Sequence, residues 1–124
     1  MIFIKGNVPS SKNSKQWTGR MLIKSKTTLR YEKATKEQWE ENKEKFLELI
    51  DGKTVPYQIG FYFVRGTRHK YDWVNPVQTI QDLMVRYGWL EDDNTTIMYP
   101  KPFKIKGKMG HYDKECPGVY IKVF

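Results

Sequence analysis

Hydrophobic and polar residues recur along the chain in patterns that predict a series of strands and helices. The N-terminal MIFIKGN alternates in part and is rich in β-forming residues, which predicts a first strand. The following VPSSKNSKQWTG carries Pro, Ser, Asn and Gly and predicts a basic loop, and RMLIKSK predicts a short second strand. The segment VPYQIGFYFVRG, residues 55–66, has the strongest β pattern and predicts a central strand.

The first of two helical segments runs from about Leu29 to Ile50. Thr27 or Thr28 can cap its N-terminus, and Glu/Lys pairs cover its polar side. Its apolar residues are only imperfectly periodic, and we expect them to pack inward: Tyr31, Ala34, Trp39, Phe46, Leu49 and Ile50.

The second helix has clear boundary signals. Asn75 can serve as its N-cap, Pro76 fits the first turn, and Gly88 fits the C-terminal stop. Helical spacing places one group of residues on an apolar side and another on a polar side: Val77, Ile80, Leu83, Met84 and Tyr87 against Gln78, Thr79, Asp82 and Arg86.

The remaining third of the chain predicts two more strands. One lies near TTIMYPKPFKI and the other is the C-terminal VYIKVF, while GKMGHYDKECPG between them predicts a loop or hairpin tip. The order β(β)αβαββ predicts an α+β fold in which two main helices pack against a mixed sheet. A chain of 124 residues is long enough for one domain, which we expect to span residues 1–124.

Composition narrows the class of protein. No apolar run reaches the roughly 18 residues of a membrane-spanning helix. The N-terminus turns polar too soon for a secretory signal. The single Cys116 can form neither an internal disulfide nor a cysteine-based zinc site alone. We therefore expect a soluble, cytoplasmic protein without a membrane partner.

The net charge of +8 is distributed in blocks that contain no acidic residue. These blocks are residues 1–31, 52–71 and 101–108. A solvated basic surface would explain them, but a polyanion such as DNA is the favoured partner because neutralised phosphates release counterions. The cations that we expect at the phosphate backbone are Lys12, Lys15, Arg20, Arg68 and Lys70.

Five carboxylates interrupt this basic pattern around the second helix. Asp72 precedes the helix, Asp82 lies inside it, and Glu91, Asp92 and Asp93 follow it. A Mg²⁺ site would need the two ends to converge, because a helix of about 12 residues is roughly 18 Å long. The alternative is structural: a favourable charge near a helix N-terminus, an Asp/Asn turn, and an Asp82–Arg86 pair. The residues themselves leave both interpretations open.

The stretch DWVNPVQTIQDLMVRYGWLEDD resembles the RusA family of Holliday junction resolvases. The family pattern is Asp-x-Asp-Asn, a helix with a Lys and an Asp, a Gly near its end, and an Asp-Asp pair. Here Asp72, Asn75, Asp82, Gly88 and the pair Asp92 and Asp93 match without a gap. The N-terminal IKGNVPSSKNS also looks like the family's opening strand and Pro-Ser-Asn loop.

The resemblance implies a metal-dependent endonuclease that acts as a homodimer on four-way DNA junctions in recombination and repair. It implies Mg²⁺ or Mn²⁺ as cofactor. It also implies that Asp72 and Asp93 are catalytic metal ligands, with Asp92 beside them.

Two positions depart from the family pattern: the second Asp is Val74, and the helix Lys is Gln78. Either fewer side chains hold the metal, or Asp82 or Glu91 substitutes, or cleavage is weak. The alternative function is therefore a branched-DNA-binding protein with weak or lost cleavage. A third hypothesis is a metal-free module that binds RNA or single strands.

Three other features carry candidate chemistry. His69, between Arg68 and Lys70, is expected to face phosphate or solvent. The segment HYDKEC, residues 111–116, suggests zinc by residue type, but an ordinary loop is favoured because no second ligand pair exists. Trp73 could stack on an unpaired base, although packing is the favoured role.

Overall fold

The computed structural model describes residues 1–10, 15–17 and 22–124, with two helices and seven strands among them. Their order confirms the predicted α+β fold with two helices and a mixed sheet. The elements are β1 (Ile2–Lys5), β2 (Lys15–Trp17), β3 (Leu22–Lys24), α1 (Lys26–Ile50), β4 (Tyr57–Arg65), α2 (Val74–Arg86), β5 (Met98–Pro102), β6 (Gly110–Tyr112) and β7 (Gly118–Val123).

The main sheet is built around β4, as the sequence predicts. Its order is β1-β7-β4-β5, and β6 also pairs with β4. Strand β7 is antiparallel to both β1 and β4, whereas β5 and β6 are parallel to β4. Residues 57–61 of β4 pair with β5 and residues 63–65 pair with β6, so these two strands lie end to end along one side of β4. Helix α2 is the crossover between the parallel strands β4 and β5.

Both helices share a hydrophobic core with one face of this sheet. At its centre the Trp89 ring lies 5.0 Å from the rings of Trp39 and Phe46, and its indole N–H donates to the Trp39 carbonyl at 2.9 Å. The opposite face carries a smaller cluster around Tyr62, Val64 and Phe103. The pleat of β4 explains this division, because successive side chains of a strand point to opposite faces.

Helix α1 begins earlier than predicted. Its N-cap is Ser25, whose hydroxyl accepts the Thr28 N–H at 3.2 Å, so the predicted caps Thr27 and Thr28 are wrong. Three polar residues, Thr28, Glu32 and Thr35, are buried in the inner face, whereas Ala34 is exposed. Thr35 can be buried because its hydroxyl bonds to the Tyr31 carbonyl and to the Trp39 indole, at 2.8 and 3.0 Å.

Helix α2 begins at Val74, with Trp73 as its N-cap, so the predicted cap Asn75 is wrong. The Asn75 N–H already donates to the Asp72 carbonyl at 3.1 Å, which starts the first turn before Asn75 can cap it. Thr79 is buried, although it was assigned to the polar side.

The end of α2 confirms the predicted stop at Gly88. Gly88 has φ +75°, which favours glycine. Its N–H donates to the Val85 carbonyl at 3.0 Å, and the Trp89 N–H donates to the Met84 carbonyl at 2.8 Å. These are the two bonds of a Schellman motif, and they send Trp89 into the core.

Two segments predicted as loops contain strands. Strand β2 lies within the segment predicted as a basic loop, and it pairs antiparallel with β3, which confirms the short strand predicted in RMLIKSK. Strand β6 lies within the predicted hairpin-tip segment, and a tight turn precedes it at Lys106 and Gly107, with φ of 50° and 78°. Ile105 and Lys108 close this turn with two backbone bonds of 2.9 and 3.0 Å, as in a two-residue hairpin. No helix in the described part of the chain is long and apolar enough to cross a membrane.

Candidate carboxylate site and basic groove

The outer face of α2 begins beside Asp72. The apolar residues of α2 pack on the sheet, which leaves Val74, Gln78 and Asp82 exposed on the other side. These residues are four apart, so they form one line along the helix. The helical rise from Val74 to Asp82 is about 12 Å.

The acidic turn follows the Schellman motif. The Asp92 carboxylate accepts the Asp93 backbone N–H at 2.7 Å and the Asn94 amide at 2.9 Å. The Asn94 side-chain oxygen accepts the Thr96 N–H at 3.0 Å. The bond from the Asp93 backbone is the main cause that lowers the pKa of Asp92. Asp92 and Asn94 thus supply turn geometry, as the structural interpretation predicts.

Asp93 is partly buried and surrounded by other carboxyl groups. Burial raises its pKa most, followed by the hydrogen bond with the Asp92 carboxyl and by the charges of Asp82 and Asp92. Asp82 and Asp92 are thus the carboxylates whose charges act on Asp93. Carboxylate oxygens are ligands that Mg²⁺ accepts, but among the described side chains these three do not form a group that could hold a metal.

Asp72 lies at the other end of α2. Its side chain is exposed, and Asp72 is not among the groups that raise the pKa of Asp93. Within residues 1–10 and 24–124, no three His, Cys, Asp or Glu side chains form a group that could hold a metal. A single metal site formed by Asp72, Asp92 and Asp93 stays a prediction.

The expected Asp82–Arg86 pair is absent from the ion pairs of the described residues. Arg86 instead contacts the carboxylate of Glu32 at 3.1 Å, and Lys24 contacts the same carboxylate at 2.6 Å. Glu32 is buried on α1 and needs cationic partners there. The network ties α1 to α2 and to β3, and the charge of Asp82 is one of the causes that raise the pKa of Asp93.

A groove of about 680 Å³ opens near the N-terminal end of α2, between residues 65–73 and 102–112. Strand β4 carries the chain into this groove, and the pairing of β6 with β4 forms its other side. The lining contains two arginines and two histidines but no acid: Arg65, Thr67, Arg68, His69, Tyr71, Trp73, Pro102, Met109, Gly110, His111 and Tyr112.

Arg65, at the end of β4, is held from three sides. Its guanidinium donates to the Val8 carbonyl at 2.6 Å and to the Ser10 hydroxyl at 2.9 Å, and it lies 4.7 Å above the Tyr71 ring centre. Burial lowers its pKa, while Tyr71 and Tyr31 oppose that shift. Its buried Nε has no hydrogen-bond partner. These partners of Arg65 are a carbonyl, a hydroxyl and an aromatic ring, and none of them is a carboxylate.

His111 is positioned by a residue 49 positions away in sequence. The Tyr62 hydroxyl lies 2.8 Å from His111 Nδ1. Burial raises the pKa of Tyr62. His111 pairs with Val64 in the β4–β6 register, so its side chain lies with Tyr62 and Val64 on the sheet face opposite to Arg65 and Tyr112.

The predicted DNA-binding residues fall in three places. Arg68 lines the groove and stacks 4.4 Å above the Tyr112 ring centre. Lys70 is exposed in the segment that forms the groove wall. The side chains of Lys12, Lys15 and Arg20 lie outside the described residues. Lysines of the third basic block are exposed around the hairpin turn, namely Lys104, Lys106 and Lys108.

Sequence reasoning missed Arg65, His111 and Tyr112 as groove residues. Arg65 ends the strongest strand, which was a usable signal. The proximity of His111 and Tyr112 to that strand depends on β4–β6 pairing, for which the local sequence has no signal. The remainder of HYDKEC forms a turn in which Asp113 accepts the backbone N–H groups of Glu115 and Cys116, at 2.9 and 3.3 Å.

Comparison of the chain with protein-family models, with curated proteins and with solved structures finds no match. The relation to RusA resolvases therefore rests on the motif around α2 and stays a prediction.

Proposed function

We propose that the protein is a Mg²⁺-dependent endonuclease that resolves four-way DNA junctions by paired nicks. One observation carries the proposal. Asp72, a metal-ligand candidate, lies between Tyr71 and Trp73, which both line the acid-free basic groove. One short segment therefore presents a carboxylate beside a surface suited to phosphate.

The carboxylates divide into two groups along α2. The motif assigns Asp72, Asp92 and Asp93 to one metal, and their carboxylates would supply its oxygen ligands. When bound, Mg²⁺ would polarise the scissile phosphate and activate water for its hydrolysis. The chain's own contribution is to position the DNA: Arg68 neutralises a phosphate of the bound strand.

A second candidate function is binding of branched DNA with weak or lost cleavage. Val74, which replaces the family's second Asp, is 56% exposed on the outer face of α2. An apolar side chain there supplies no oxygen to a metal. Gln78, one turn further along, lacks the positive charge of the family's lysine. These two residues favour a lower metal affinity than in a site with the complete motif.

We also propose that the active form is a homodimer. A four-way junction has near two-fold symmetry, and a two-fold dimer presents two identical sites to it. Sedimentation of the protein with and without junction checks the mass against the 14.8 kDa of one chain. Full activity in a species that stays monomeric would contradict the dimer.

The test is a nicking assay on a synthetic four-way junction and on a linear duplex of the same sequence. We expect nicks in the junction with Mg²⁺ or Mn²⁺, and none in EDTA. Asp72→Asn should abolish nicking and retain binding. Asp51→Asn is the matched control, because Asp51 is an exposed carboxylate at the C-terminus of α1.

The outcomes separate the candidates. Metal-dependent nicks confined to the junction support the endonuclease. Junction-selective binding without nicking at any metal concentration supports the second candidate. Equal binding to junction, duplex and single strand contradicts both.

A further inference from the structure

We propose that the basic groove is a nucleotide subsite that takes one unpaired nucleotide of the DNA strand. Arg68 holds its phosphate, and its base stacks beside Tyr112. The inference rests on the proposed function and deepens it, because it states which form of the strand lies beside the site.

The charge of the groove specifies an anion. The side chains of Arg65, Arg68 and His69 line it, and no acidic residue does. Arg65 is only 7% exposed, and the partners described above are a carbonyl, a hydroxyl and an aromatic ring. A buried guanidinium with neutral partners keeps a positive potential that an anionic ligand can satisfy.

The phosphate-binding group is already oriented. Stacking on Tyr112 holds the guanidinium of Arg68 at 4.4 Å from the ring centre. This donor is therefore set before a ligand arrives, which lowers the entropic cost of binding a phosphate oxygen.

The shape and the aromatic residues specify a nucleotide rather than a phosphate alone. A volume of about 680 Å³ lies in the range of small-molecule sites. Tyr112 is 39% exposed, and Trp73 also lines the groove, so ring surfaces lie beside the cations. A base inside a duplex has both faces covered by its neighbours. Only an unpaired nucleotide can offer a face to these rings.

Binding of a labelled short oligothymidylate in EDTA tests this subsite without the metal site. Tyr112→Leu should weaken binding by about fivefold or more, which is the scale of losing one base stack. Tyr112→Phe should retain wild-type binding. Arg68→Ala should weaken binding more than Lys33→Ala, which removes an equal charge from an exposed position on α1.

Competition separates the possible ligands. Thymidine monophosphate should displace the oligonucleotide at a lower concentration than inorganic phosphate or thymidine does. Equal displacement by inorganic phosphate would overturn the nucleotide subsite and leave an anion site only. Unchanged binding of the Tyr112→Leu and Arg68→Ala variants would overturn it as well. Circular dichroism of each variant verifies that the fold is intact.

The junction assay distinguishes failure of the subsite from failure of the proposed function. If the groove variants lose oligonucleotide binding but the wild type never nicks a junction, the subsite stands and the endonuclease does not. If the wild type nicks junctions with Mg²⁺ and the Tyr112→Leu variant binds oligothymidylate normally, the endonuclease stands and the subsite falls.

Discussion

The acidic turn and the basic groove flank opposite ends of α2 and are built in different ways. In the turn, the side chains of Asp92 and Asn94 bond to groups one or two residues away. In the groove, Arg65 is held by a residue 57 positions away, and Arg68 stacks on Tyr112 of the separate strand β6. The turn can therefore form from local sequence, whereas the groove exists only once β1, β4 and β6 are assembled.

The two regions also carry opposite charges that do not cancel within the chain. Asp93 lies near other carboxylates, and Arg65 lies near neutral groups. A metal cation satisfies the first arrangement and a phosphate satisfies the second. Cleavage of a phosphodiester needs both partners in one complex, which is why we assign chemistry to the carboxylates and substrate binding to the groove.

The largest effect is expected when Asp93 and Asp92, the two carboxylates of the acidic turn, are replaced one at a time. Asp93→Asn should abolish nicking, because it removes a metal ligand from the partly buried group. Asp92→Asn should reduce nicking less, because both Asp92 oxygens already accept hydrogen bonds within the turn. Single-turnover nicking of a four-way junction measures both variants. Equal losses would show that the two carboxylates have the same role.

Arg65→Met should produce the next largest effect, this time on stability. The change removes the donor to the buried Val8 carbonyl, a loss worth about 1–3 kcal/mol. Urea denaturation measures the free energy of unfolding, with Arg68→Met as the control because Arg68 is exposed. A destabilisation no larger than that of the control would mean that Arg65 does not anchor the groove to the N-terminal segment.

The same contrast explains how far the sequence could predict the molecule. The end of α2 was predictable because the N–H groups of Gly88 and Trp89 bond to nearby carbonyls, those of Val85 and Met84. The start of α1 was misjudged because Ser25 lies in a segment that also fits a strand. Burial of Thr35 and Thr79 was missed because hydrophobicity alone assigns threonine to the polar side.

Local sequence also predicted the residues of the acidic turn, but it could not show which ones lie together. Arg86 pairs with Glu32, 54 positions earlier in the chain, and not with Asp82 one turn away. Of the groove, local sequence indicated the cations Arg68 and Lys70, with His69 between them and Trp73 nearby. Its remaining residues depend on strand pairing, which a hydrophobic pattern does not specify.

Val74→Asp would place an additional carboxylate on the outer face of α2, at the end of the helix that lies near the groove. The motif places an oxygen ligand at this position, so the Mg²⁺ concentration for half-maximal nicking should fall, by roughly tenfold. Val74 is exposed, so the substitution should leave the core unchanged. A Mg²⁺ titration beside wild type decides the matter. Reduced activity would show that Asp82 or Glu91 already fills the role and that the new charge only adds repulsion.

The smallest effect is expected on the Tm of the metal-free protein, and its cause is the charge of the Asp93 carboxylate. Its pKa is raised in the folded protein, so the ionised form is penalised there, and Asp93→Asn should raise Tm at about pH 7 in EDTA. At about pH 3 the carboxyl is largely protonated in both folded and unfolded chains, and the gain should shrink. Calorimetry at the two pH values measures this change. A Tm gain that is the same at both would exclude charge as its cause.

The division of roles between the two regions is tested most directly by measuring affinity and nicking on one four-way junction. The variants are Asp93→Asn and Arg68→Ala, with wild type and Asp51→Asn as references. We predict that Asp93→Asn keeps a wild-type or tighter Kd and loses Mg²⁺-dependent nicking. Arg68→Ala should raise the Kd and still nick measurably at saturating protein. If Asp93→Asn nicks at the wild-type rate, or if Arg68→Ala leaves the Kd unchanged, the assignment of chemistry to the carboxylates and binding to the groove is contradicted.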